Sequence, residues 1–312
     1  RCRRPYAGGM PDAAPLHIVS GKGGTGKTTI ALALALMLGR AGTKTLVCEV
    51  ESRHGLSEAA GLAKIPDGQE RTVTLSGQSL RMLSVDSGHA LRDYLESHAR
   101  LGVAGTILEK TGFVDFATEL APGLRDVLLT GKVYQAARRR LKGSPHAVDA
   151  IVMDAPPTGR IETFLTAGDA LAEVMAVGPI APQAQSIREL LRSPSTKVHL
   201  VTTLSEMAVT ETLETIDALT RHDIAIGHVV VNQVAGAPPA LPANLHDPAL
   251  RSAWERDLAV SVDQQPWAET LAARLAELER PPALTVDLLP DEVSPDDLGR
   301  IADLLAEGWA AA

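Results

Sequence analysis

Ten residues from Ser20 to Thr29 read S-G-K-G-G-T-G-K-T-T, and Gly21 to Thr28 fits the spacing G-x-x-x-x-G-K-[ST]. These residue types suit phosphate chemistry. Gly21, Gly23, Gly24 and Gly26 let the backbone curl so that successive N–H groups face phosphate oxygens, with Thr25 and Thr29 in the same cradle. Lys27 is placed to reach the β- and γ-phosphates, and the Thr28 hydroxyl to ligate Mg²⁺.

Phosphoryl chemistry on such a loop also needs a carboxylate at the end of a neighbouring strand to help hold Mg²⁺. Ile151-Val152-Met153-Asp154 supplies one. The following Ala155-Pro156-Pro157-Thr158-Gly159-Arg160 is stiff at its prolines and mobile at its glycine, as a segment that moves on loss of a γ-phosphate would be. A second apolar run ends in Glu49-Val50-Glu51, where two-residue alternation puts Glu49 and Glu51 on one face. Parallel strands present their C-terminal ends to the phosphate site, so Glu51 is placed to orient an attacking water. His54 reads as a local hydrogen-bonding residue rather than a base. The other histidines are scattered without metal-ligand spacing, so no metal besides Mg²⁺ is expected. Asn232 ends a late apolar run, without the aspartate that guanine-specific proteins place after it. An amide alone matches the adenine edge, which favours ATP over GTP.

The elements that must position these groups alternate along the chain. Short apolar runs read as strands at 15–19 and 45–50, around Gly77 within 71–85, and at 147–153, 197–202, 224–231 and 283–288. Helical patterns read at 28–38, 161–176, 184–192, 209–219, 252–259, 269–278 and 295–306, with loops at 179–182 and 237–248. This is an α/β pattern: a doubly wound, mostly parallel sheet of the P-loop NTPase kind. A helical block at about 89–145 falls between two sheet strands and reads as an insertion in a single domain, 15–312. Residues 1–14 read as a disordered tail, with Met10 nearer the natural start.

Composition sets limits. The chain has 312 residues, 45% of them apolar but only 3% aromatic, so its core is built of Leu, Val, Ile and Ala. A formal charge of −8 argues against a nucleic-acid partner, whose phosphates need clustered Lys and Arg. The one basic cluster, Arg138 to Arg140 with Lys142, reads as a solvated helix end. No apolar run approaches the ~20 residues that span a bilayer, and no signal peptide is evident. Cys2 and Cys48 alone exclude a disulfide framework and fit a reducing cytoplasm.

The loop's extra lysine, Lys22, makes K-G-G-T-G-K-T resemble the deviant P-loop ATPases. Over about residues 15–305 the motifs together resemble the arsenite-pump and tail-anchored-protein targeting ATPase family, nearest its actinobacterial anion-transporting-ATPase-like branch. Glu51 to Glu58 is similar to the first switch D-P-A-H-x-L-S-D, and Asp154 to Gly159 to the second, D-x-A-P-T-G. Pro122-Gly123 resembles the P-G that opens a helix of the family's helical subdomain. Asn232-Gln233 resembles the adenine-contacting N-Q, and 289–293, with Pro290 and Asp291, the loop that covers the base. The resemblance implies a dimer in which Lys22 crosses to the partner's nucleotide and Glu51 stands for the catalytic aspartate. Glu at 51 is a departure whose longer arm bears on water positioning and rate. The acid expected after the sixth strand is displaced, with Ser205 in its place and Glu206 next. The family's inter-subunit cysteines are absent, and nothing in the residues points to anion transport. No methionine lies between Met82 and Met153, so a full hydrophobic-client groove is not expected from one chain.

The function expected is a Mg²⁺-dependent, ATP-hydrolysing dimeric switch in the cytoplasm that couples ATP state to an unidentified protein client, as a homodimer or with a paralogous ATPase. One alternative is an ATP-binding subunit with weak hydrolysis in a hetero-oligomer. Another is a small-molecule kinase or ligase on the same fold. A DNA-partitioning ATPase would need a basic face that pI ≈ 5.6 does not suggest.

Overall fold

The computed structural model describes residues 15–51, 54–99, 123–139, 142–174, 180–241, 247–289 and 293–311. The tail expected at 1–14 and the middle of the helical block lie outside them. Eight strands follow in chain order: β1 (Leu16–Gly21), β2 (Thr45–Val50), β3 (Glu70–Leu75), β4 (Gln78–Val85), β5 (Ala150–Asp154), β6 (Thr196–Thr202), β7 (Ile226–Val234) and β8 (Leu284–Asp287). They form one sheet in the order β3-β4-β2-β5-β1-β6-β7-β8. All its pairings are parallel except β3 with β4, a hairpin closed at Ser76-Gly77, both left-handed.

The central strands are apolar on both faces because helices cover both. Val19, Val47, Val152, Val201 and Val230 face one layer. It contains α1 (Lys27–Arg40), α2 (Gly55–Ala59) and α9 (Pro295–Ala311). Ile18, Cys48, Met153, Leu200 and Val231 face the other, larger core. That side carries α3 (Ser87–Ala99), α4 (Leu124–Ala137), α5 (Thr158–Val174), α6 (Ile180–Leu191), α7 (Glu206–Arg221) and α8 (Pro248–Glu277). Helix α1 is apolar nearly all round because it lies between the sheet and α9. β1 lies between β5 and β6, so every element of the phosphate site gathers at the C-terminal edge of these neighbouring strands.

Several expectations change. Separate helices expected at 252–259 and 269–278 are one, α8, which runs through Pro266. Only Leu271 and Leu275 of it are fully buried, so water can satisfy the carbonyl that Pro266 leaves without a donor. The loop expected at 179–182 is helical from Ile180, with Pro182 in the first turn, where a missing N–H costs no intrahelical bond. Arg139 is not merely solvated at the end of α4, since it pairs with Glu70 of β3. Glu51 leaves the alternation of β2, since its φ of 80° takes the chain out of the strand. Glu49 and Glu51 therefore do not share a face in the way that period two implies.

Candidate active site

The glycine loop is shaped by its neighbours. A Cβ on Gly21 would lie 2.0 Å from the Val201 carbonyl oxygen, so β1 can run this close to β6 only with glycine. Gly26 opens α1 from a left-handed conformation (φ 84°), and its Cβ would lie 2.3 Å from Asn232 Nδ2. The loop also closes on itself. The Lys22 carbonyl accepts from the Thr25 hydroxyl at 2.8 Å and from the Lys27 ammonium at 3.3 Å. Lys27 is buried at the first turn of α1, where helix-terminal N–H groups and a positive dipole end favour an anion.

Thr28 of α1 and Asp154 of β5 meet at this mouth, Oγ1 donating to Oδ2 at 2.7 Å. Hydroxyl and carboxylate oxygens are hard ligands of the kind Mg²⁺ takes. Curled glycines, a buried lysine, a helix N-terminus and this oxygen pair fit a triphosphate with its Mg²⁺.

Three further carboxylates belong to or directly follow the elements that frame the mouth. Glu49, beside Asp154 in the β2–β5 register, is buried. Its Oε2 accepts from the Leu56 amide at 3.1 Å, anchoring α2, and its Oε1 from the Ser84 hydroxyl at 3.0 Å. His54 Nδ1 stands 3.8 Å from Glu49 Oε1, beyond hydrogen-bonding distance. Glu51 reaches the opposite helical layer. Its carboxylate pairs with Arg160 of α5, and Arg125 of α4 is 4.0 Å away. Arg160 also donates to Asp126 at 3.1 Å. Burial pushes the Asp126 carboxyl up, and the Arg160 charge opposes it.

Glu211 of α7 takes the third place. It pairs with Lys22 and accepts from the Thr158 hydroxyl at 2.8 Å. The bond from Lys22 holds the Glu211 carboxyl below its ordinary value. Glu206 is exposed at the start of α7, so the acid that engages the loop is one and a half helical turns further on. Thr158 and Arg160 both belong to the segment after Asp154, so both charge clusters are tied to it. Ser20 joins them, donating to the Pro156 carbonyl at 2.6 Å.

Asn232 lies against the loop itself, its Nδ2 donating to the Thr25 carbonyl at 2.9 Å. Gln233, left-handed at φ 59°, reaches Gly24 O at 3.3 Å. Pro290 and Asp291 lie outside the described residues. Lys22, Gly23 and Gly24 are on the open side of the loop. Motif spacing gave no sign of Glu211, Arg160 or Asp126. Arg160 adjoins the second switch-like string, which is the only local hint.

The model of the anion-transporting ATPase family matches residues 16–180, more than half of the chain. The chain belongs to this family. It is 42% identical over 244 residues to ATPase BagA of Mycobacterium tuberculosis, covering 78% of this chain and 70% of that one. ATPase GET3 of Candida glabrata is 24% identical over 252 residues, covering 69% of this chain and 71% of its own. ATPase GET3 of Mycosarcoma maydis is 26% identical over 178 residues, covering 54% and 49%. The chain is accordingly a nucleotide-binding, ATP-hydrolysing enzyme. No helix among the described residues is long and apolar enough to cross a membrane.

Proposed function

We propose that this ATPase is a Mg²⁺-dependent dimeric switch whose ATP state sets its affinity for a protein client. The carrying observation is that both charge clusters at the loop mouth are anchored on the one segment after Asp154. The loop amides of 21–26, with Lys27 and Thr29, bind the triphosphate, and Thr28 with Asp154 holds the cation. Bound Mg·ATP supplies the phosphoanhydride and a divalent charge that offsets its oxygens. Glu51 orients the water, and Asn232 steadies the loop while presenting an amide toward the adenine side. By the resemblance alone, Pro290 and Asp291 are assigned to contact with the base. Lys22, with about a third of its side chain exposed, exchanges Glu211 for the partner subunit's nucleotide. Glu211 also holds Thr158, so release of Lys22 from it couples closure of the dimer to the second switch.

The test is ATP turnover by the chain alone over a range of protein concentrations, beside Lys22→Ala and Glu51→Gln. Specific activity should rise with concentration and fall about a hundred-fold or more in Glu51→Gln. In Lys22→Ala the concentration dependence should vanish. Activity independent of concentration in wild type would sink the dimer. Tight ATP binding with negligible turnover at every concentration would instead favour the reading of an ATP-binding subunit that needs a paralogous chain.

A further inference from the structure

Glu51 is held in an unusual way. Its backbone is left-handed at a residue with a full side chain, a conformation that persists only where surroundings over-determine it. Its carboxylate is nearly buried, 5% exposed, while Arg160 beside it is 43% exposed. A glutamate has one more rotatable bond than an aspartate, so an aimed carboxylate here needs an external anchor. The guanidinium of Arg160 is a planar fork, and both tines are used. Nη1 donates to Glu51 and Nη2 to Asp126 at 3.1 Å. Asp126 is itself fixed, 9% exposed in the first turn of α4. That turn is set against α5 at Gly123, where an added Cβ would lie 3.5 Å from Ala167. Arg125, at 4.0 Å, adds a second positive charge facing the same Glu51 oxygen.

We infer that Arg160 is a positioning residue for ATP hydrolysis: anchored by Asp126 of α4, it fixes where the Glu51 carboxylate sits. This rests on Glu51 as the water-orienting group. The geometry separates two duties. Supplying positive charge needs only a cation, which lysine provides. Bridging Glu51 to Asp126 needs two donors in a fixed plane, which lysine does not provide. The bridge also makes the start of α4 part of the catalytic apparatus, so a client bound on the helical block could alter the Glu51 position through Asp126 without touching nucleotide.

The experiment compares full-length wild type with Arg160→Ala, Arg160→Lys, Asp126→Asn and Glu51→Gln, each checked by circular dichroism. In Arg160→Ala, kcat should fall at least about ten-fold with KM for ATP little changed. The acidic limb of its pH–rate profile should move up by about one unit, because a buried carboxylate has lost its nearest counter-charge. Arg160→Lys should restore the limb but not kcat. Asp126→Asn should lower kcat about two- to five-fold and leave the limb in place. Without nucleotide, hydrogen exchange in Arg160→Ala should rise together at 54–60 and 124–130, with 20–30 as in wild type. An Arg160→Lys enzyme with full kcat would overturn the bridging claim, and unchanged exchange at both segments would overturn the anchoring. If Glu51→Gln retains wild-type turnover, the prior reading of Glu51 fails instead, whatever Arg160 does.

Discussion

At the C-terminal edge of the sheet, opposite charges meet across elements: Lys22 with Glu211, and Arg160 with Glu51 and Asp126. Towards the starts of β1 and β7 and the middle of β6, three imidazoles do something different. His17, His199 and His228 lie on neighbouring strands, with ring centroids 5.3 and 5.9 Å apart and Trp309 of α9 against them, 4.0 Å from His228. His17 Nδ1 and His199 Nε2 are 3.0 Å apart, and His199 Nδ1 accepts the His228 amide at 3.0 Å. Gly227 has no room for a Cβ, which would lie 2.4 Å from the His199 ring. The Lys22–Glu211 pair is part-exposed on both sides, so water can replace either partner at little cost. His17 and His199 are buried and His228 half-buried, all three held neutral, and only a proton would change them. Exchangeable charge is thus kept where nucleotide arrives, and fixed neutral rings where the frame must hold.

The sharpest way to break that contrast is acid. Burial, then the nearby His228, lowers the His17 pKa from 6.5 to about 4, and His199 and His228 are lowered too. Between these values the unfolded chain binds the proton that the folded chain refuses. The stability is therefore fully present above about pH 6.5 and is lost as pH falls toward 4. A shift of that size corresponds to about 3 kcal/mol for His17 alone. Urea unfolding from pH 7.5 to 4.5 should register this loss, and His17→Asn should flatten the slope. Parallel wild-type and His17→Asn curves would mean the stack is not what acid attacks.

Asp154→Asn tests the other region from the side of chemistry. The amide can still accept the Thr28 hydroxyl, so the melting temperature should stay near wild type. Loss of the charge should lower kcat on the order of a hundred-fold. Phosphate release titrated with Mg²⁺ should half-saturate at higher concentration. A variant that instead unfolded, with normal turnover in the folded fraction, would show Asp154 to be frame rather than site.

The two regions were not equally legible. The glycine loop, Asp154 and most strands are local strings, and local strings fix backbone geometry directly. The hairpin at Ser76-Gly77 and the strand at 45–50 follow from turn chemistry and apolar runs alone. Pairings across 109 and 189 residues, Glu51–Arg160 and Lys22–Glu211, depend on how layers stack and leave no periodic trace. The histidines look scattered because each is the lone imidazole of its own strand. The gap expected between 259 and 269 is helical through Pro266, because the chain alone does not say that water surrounds that turn. Glu51 misled alternation because a strand's end is set by its neighbours, here the Val85 carbonyl that accepts the Glu51 amide at 3.0 Å.

The smallest effect is the most specific. Lys22 and Glu211 are each about 30% exposed, so their pair contributes at most about 1 kcal/mol, and Glu211→Gln should scarcely change the unfolding midpoint. The same small energy matters more for assembly. If Lys22 must leave Glu211 to reach a partner subunit, the pair taxes dimer formation by its own worth. Removing the charge should then lower the protein concentration giving half-maximal specific activity by about two- to five-fold. Maximal turnover should be unchanged or reduced, since Thr158 also loses its carboxylate partner. A concentration midpoint that stays put in Glu211→Gln, while Lys22→Ala abolishes the concentration dependence, would mean that Glu211 does not compete with the partner for Lys22. The edge would then be as fixed as the histidine stack, and the contrast between the two regions would fail.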